Sequence, residues 1–238
     1  SMSGNSHPMG VLSSALQALG GCFPHLCTNT RPADIDSFQE AASLIVASIP
    51  SIAASTYRSS KGENMPEIGN VFSYCENFLH LMFGSASAEP IDSSVSKALD
   101  LIFLLHADHE QNCSTSTCRM IASGGANAFA SLSGAVSALW GPLHGGANMA
   151  VIRMLNEIHS AGDDGSQFIQ SAKEGKARVM GFGHRVYRNY DPRAKILKSA
   201  CDQALEALGV ESPILDIARN LETSALQDEY FIARKLYP

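Results

Sequence analysis

Apolar residues recur at three- and four-residue spacing along almost the whole 238-residue chain, while alternating strand patterns and Asn-Gly hairpin turns are nearly absent. This periodicity predicts an all-α, multi-helical protein. A first helix starts at Ser6-His7-Pro8, with proline in its first turn, buries Val11, Leu12, Leu16 and Leu19, and stops at Gly20-Gly21. Asp34 opens a second, which Pro50 ends or kinks; a further helical run reaches about Arg58 before Ser59-Ser60-Lys61-Gly62 breaks the pattern. Other helices are expected over about 73–83, 94–109, 114–123, 127–140 and 146–159. Asp191-Pro192 and Ser212-Pro213 repeat one start signal, an N-cap followed by proline, and Gly209 closes the helix between them. Ser1-Met2-Ser3-Gly4 reads as an expression scar. The stretch Ala161-Gly162-Asp163-Asp164-Gly165 is the expected boundary between a larger portion, 5–160, and a smaller one, 161–238.

With 45% hydrophobic and 17% charged residues, the chain can bury a sizeable core, which excludes intrinsic disorder. Seventeen Lys plus Arg against 23 Asp plus Glu leave a net charge of -6, without basic runs, which argues against a nucleic-acid partner. Apolar stretches such as Leu101 to Leu105 fall far short of the ~20 residues that cross a bilayer, so no membrane partner is expected. Six cysteines at irregular spacings, with no secretory signal, read as reduced thiols of an intracellular protein. Cytoplasm, mitochondrial matrix and peroxisome fit this equally.

Three histidine settings carry candidate chemistry. His144 lies in Gly141-Pro142-Leu143-His144-Gly145-Gly146-Ala147-Asn148, a glycine-rich turn that holds the imidazole at a helix N-terminus. There a neutral ring can donate a hydrogen bond to a developing oxyanion, worth roughly 3 kcal/mol of barrier, although an ordinary tight connection explains the spacing as well. His184 follows Met180-Gly181-Phe182-Gly183, where glycines admit a ligand close to the backbone, and Arg185, Arg188 and Arg193 stand within nine residues of it. Guanidinium forks bind carboxylate and phosphate in two-point fashion, so this loop suits a polyanionic substrate. No strand precedes the Gly-x-Gly, which argues against a dinucleotide fold. The third setting, His106-Ala107-Asp108-His109-Glu110-Gln111-Asn112-Cys113, invites a zinc reading together with Cys118, but its spacing matches no usual zinc arrangement and no metal site is expected.

These three blocks, from Leu105 to Thr117, from Gly141 to Asn148 and from Gly181 to Ala194, resemble the citrate synthase family in order and spacing, as do Ser6-His7-Pro8-Met9 and Lys235-Leu236-Tyr237-Pro238. The wording around Ala107 to Thr117 is most similar to the bacterial-type and plant peroxisomal branch. The resemblance implies condensation of acetyl-CoA with oxaloacetate to citrate and CoA through an enol, with no cofactor besides the thioester substrate. By motif, His144 contacts the enol oxygen and His184 polarises the oxaloacetate carbonyl, while His109 and Arg193 hold oxaloacetate. Arg188 faces CoA phosphate, and the backbone of Val179, Met180, Gly181, Phe182 and Gly183 faces adenine. The family also implies a homodimer.

Relatives place the catalytic base, an Asp, immediately beyond the Lys-Leu-Tyr-Pro stretch, where this chain stops. The expectation is therefore a middle fragment lacking both ends, silent by itself and prone to self-association through uncovered helix faces. Two alternatives stand beside it: 2-methylcitrate synthase, using propionyl-CoA by the same chemistry, since one methylene is worth only ~1–3 kcal/mol in a pocket, and a non-catalytic helical dimer.

Overall fold

Short polar side chains and prolines open most of the helices this chain forms. The computed structural model describes residues 6–27, 35–67, 73–84, 91–108, 110–184 and 189–238. Among the described residues there are eleven α-helices and no strand: α1 (Pro8–Cys22), α2 (Ile35–Lys61), α3 (Tyr74–Phe83), α4 (Ser93–Leu105), α5 (Cys113–Ser123), α6 (Ala128–Trp140), α7 (Ala147–Ser160), α8 (Ser166–Lys173), α9 (Pro192–Leu208), α10 (Pro213–Gln227) and α11 (Glu229–Ala233). Ser73 and Glu76 form a reciprocal capping box at α3, and Asp92, Asn112, Asn127, Asp191 and Ser212 each accept a backbone N–H at the start of a helix. At α1 the cap is the His7 ring, Nδ1 accepting Met9 N–H at 3.2 Å.

Pro50 neither ends nor breaks α2, which runs through it for 27 residues. A proline at this point leaves the carbonyl four residues earlier, that of Val46, without its helical donor. The Tyr74 hydroxyl at the start of α3 supplies one at 3.0 Å. The helix expected over 94–109 stops earlier, at Leu105, where His106 turns its Nδ1 onto the Ile102 carbonyl at 2.7 Å. Asp34, expected to open α2, lies outside the described residues.

The chain divides by its contacts into two units, residues up to His144 and those from Gly145. In the first, Leu16, Leu26, Ala41, Ile45 and Phe129 are buried where α1, α2 and α6 meet. Small residues bring α1 and α6 together: Ser13 Oγ lies 2.9 Å from the Ser133 carbonyl and 2.7 Å from Ser137 Oγ. In the second, Leu155, Ile158, Ile169, Leu221 and Phe231 are buried among α7, α8, α10 and α11. The 161–165 stretch, expected as the boundary, lies inside this second unit as the cap of α8. The Asp163 carboxylate oxygens accept the backbone N–H groups of Gly165, Gln167 and Phe168, Asp164 Oδ1 accepts that of Ser166, and Gly165 (φ 106°) sits against Leu221, where a Cβ would come within 2.9 Å. α7 belongs to the second unit because its Met154, Leu155 and Ile158 are part of that core.

Candidate active site

His144 owes its setting to an antiparallel pair of helices. α5 and α6 are joined by the short turn 124–127, so the start of α5 and the end of α6 lie at the same end of the pair. Gly134 in α6 lets Ile121 of α5 seat against it; a Cβ there would fall 2.1 Å from Ile121 Cδ1. His144, four residues past α6, closes a tight turn through its N–H to the Gly141 carbonyl at 3.0 Å. Its half-buried ring then meets the first turn of α5. Nε2 accepts the Ser114 backbone N–H at 3.2 Å, with Ser114 Oγ 3.0 Å from the same nitrogen and 2.8 Å from Asn112 Oδ1. An Nε2 that accepts from an amide holds no proton, so the ring's proton sits on Nδ1 and is directed away from α5. The helix N-terminus beside this ring is that of α5, thirty residues earlier, and not that of α7, which starts only at Ala147.

The second unit carries the other described residues. Val179 is buried in the core, and Met180 N–H points at Met154 Sδ at 3.2 Å. Gly181 (φ 85°) and Gly183 (φ 81°) then take the left-handed backbone that side chains avoid, and the chain turns sharply at both. Gly183 N–H donates to the Tyr237 carbonyl at 2.8 Å, and Leu236 Cδ2 lies 2.9 Å from where a Gly183 Cβ would stand. Of the backbone donors expected to face adenine, two are thus committed within the unit. His184 is exposed at the end of this turn and acts electrostatically on Asp191.

Arg193, in the first turn of α9, holds the cap residue itself. Its Nε and an Nη grip Asp191 at 3.1 and 2.7 Å, while its N–H donates to Asp191 Oδ1 at 2.9 Å. These hydrogen bonds hold the Asp191 carboxyl below the usual carboxylate range. The guanidinium assigned from the sequence to a substrate carboxylate therefore already makes a two-point grip on a carboxylate of its own chain. His109, Arg185 and Arg188 lie outside the described residues.

Sequence reasoning passed over the residues that hold these side chains, Ser114 and Asn112 in the first unit and Asp191, Tyr190 and Glu222 in the second. Asn112 and Asp191 were legible as caps; Ser114 and Glu222 act through contacts made only in the folded chain. A cavity of about 390 Å³ opens under Met180, Gly181 and Phe182, with an apolar floor from α7 and α10 and with Tyr190, Lys198 and Glu222 on its wall. Among the described residues no three His, Cys, Asp or Glu side chains converge to hold a metal ion, and no helix is long and apolar enough to cross a membrane.

A family model described as the C-terminal domain of citrate synthase matches residues 1–238. Citrate synthase 1 of Mycobacterium tuberculosis, in strains CDC 1551 / Oshkosh and H37Rv, is 49% identical over 238 residues, covering 98% of this chain and 54% of the relative. Among solved structures, citrate synthase from Pyrobaculum aerophilum superposes with a TM-score of 0.78 at 33% identity, over 99% of this chain and 59% of its own. The ternary complex of carboxymethyl coenzyme A and oxaloacetate with citrate synthase from Thermoplasma acidophilum gives a TM-score of 0.83 at 27% identity, over 100% of this chain and 59% of its own. The chain thus spans little more than half the length of these relatives. On the whole-length match and on this degree of identity, the chain belongs to the citrate synthase family.

Proposed function

We propose that the chain carries acyl-transfer chemistry of the citrate synthase type, joining acetyl-CoA to oxaloacetate to yield citrate and CoA. The observation that carries this reading is the Ser114 N–H on His144 Nε2, which leaves Nδ1–H as a donor for an oxygen that gains charge. An aspartate of the kind relatives place after the Lys-Leu-Tyr-Pro stretch takes the acetyl methyl proton while that donor stabilises the enol oxygen; the enol carbon then attacks the oxaloacetate carbonyl, whose oxygen takes a proton from His184, and water cleaves the resulting thioester to release citrate and CoA. Arg193 and His109 hold the carboxylates, Arg188 meets CoA phosphate, and the turn from Val179 to Gly183 borders adenine. Support for these roles comes from family membership and from a loop in which glycines, His184 and Arg193 occur together. A homodimer fits the first unit, where Leu104, Met120 and Leu143 are exposed, Leu143 almost completely at 98%.

Titration calorimetry of the 238-residue chain with oxaloacetate tests the reading. Saturable binding that is lost in His184→Ala and weakened in Arg193→Lys supports it, and no saturable binding by the unmodified chain overturns it. Light scattering separately tests the dimer, which a monomeric mass removes.

A further inference from the structure

One polar anchor ties the approach to Arg193 to the body of the second unit. The Tyr190 phenol donates to Glu222 Oε1 on α10, and Lys198 Nζ on α9 donates to the other oxygen of the same carboxylate at 2.5 Å. Glu222 therefore joins three pieces of chain: the segment entering α9, α9 itself and α10. Tyr190 directly precedes Asp191, whose carboxylate receives both the backbone N–H and the guanidinium of Arg193. Where Asp191 goes, the fork follows. The backbone offers only a weak alternative tether, since Asp191 N–H reaches the Pro238 carbonyl at 3.3 Å, whereas the phenol–carboxylate bond is charge-assisted. The phenol also stands half-buried on the wall of the 390 Å³ cavity beside Leu197 and Leu221, so a hydroxyl without a partner there would be desolvated at a cost.

We propose that Tyr190 is a positioning residue: through Glu222 it sets the place of Asp191 and thereby the aim of the Arg193 guanidinium at a dicarboxylate. The inference rests on the oxaloacetate reading above and goes beyond it in naming a residue that touches no substrate.

The test is calorimetric titration of oxaloacetate into the full 238-residue chain and its variants. Tyr190→Phe is expected to weaken binding on the order of ten-fold. Glu222→Ala, which removes the acceptor from the other side, is expected to match it, and Glu222→Gln, which keeps an oxygen for the phenol, to stay within about three-fold of the unmodified chain. In an Arg193→Lys background, which keeps a cation without the fork, Tyr190→Phe is expected to add little, because its effect passes through that fork. Undiminished affinity in both Tyr190→Phe and Glu222→Ala, or a full additional loss on Arg193→Lys, overturns the positioning role while the dicarboxylate reading stands. Absence of binding by the unmodified chain overturns both.

Discussion

His144 Nε2 and the Ser114 backbone N–H meet at 3.2 Å across thirty residues of sequence, and this contact decides which ring nitrogen carries the proton. The partner is a main-chain group, so no side-chain change at Ser114 removes it. Ser114→Ala is expected to leave the ring's tautomer unchanged. Asn112→Ala removes the cap that accepts Thr115 N–H and should cost about 1 kcal/mol while loosening the first turn of α5. Nitrogen-15 NMR of the imidazole, together with urea unfolding, checks both. A proton found on Nε2 in the unmodified chain would contradict the assignment.

The Tyr74 hydroxyl compensates for Pro50. Tyr74→Phe is expected to destabilise the first unit by about 1 kcal/mol, since it leaves the Val46 carbonyl without a donor. In a Pro50→Ala background, residue 50 regains an N–H for that carbonyl, and the same substitution should cost much less. A double-mutant cycle in urea measures the coupling, and strict additivity would show the two residues to be independent.

At Gly134 the α5–α6 contact depends on a missing side chain. Gly134→Val is expected to cost about 1–3 kcal/mol by pushing Ile121 out of its seat, and Ile121→Ala should recover part of that loss. Thermal unfolding of the two single variants and the double variant supplies the comparison.

Two groups near α9 give the second unit opposite sensitivities at the two ends of the pH scale. The Asp191 carboxyl is held low by Arg193, so its contribution is fully present above the ordinary carboxylate range and is lost as pH falls through the lower folded value. Burial and the bond to Glu222 push the Tyr190 phenol up to about 12 from an ordinary 10.0, so its contribution is complete below pH 10 and disappears as pH rises through 12. Asp191→Asn should flatten the acid limb of a stability–pH curve and Tyr190→Phe the alkaline limb. Unchanged limbs in these variants would assign the dependence to other groups.

Much of the helical framework was legible because its signals are local. Asp191-Pro192, Ser212-Pro213 and Gly209 mark ends of α9 and α10 through groups at most a few residues apart. What escaped depends on partners distant in sequence. Pro50 reads as a break until Tyr74, twenty-four residues later, is seen to serve the orphaned carbonyl. The aspartates of 161–165 read as a boundary between two portions until their carboxylates are found capping α8, a helix too short for its apolar period to stand out. Arg193 read as a ligand-binding cation, and Asp191 as a cap. That each holds the other is a matter of side-chain conformation, which residue types alone do not settle.

The turn between α5 and α6 gives the first unit a kinetic property. Because a hairpin of two helices needs only short loop closure, the Ser114–His144 contact is expected to form early, ahead of any pairing that must span the whole chain. The proton on Nδ1 is therefore placed by a piece of about thirty residues, and mutations far from that piece can slow or weaken folding elsewhere without changing which nitrogen carries it.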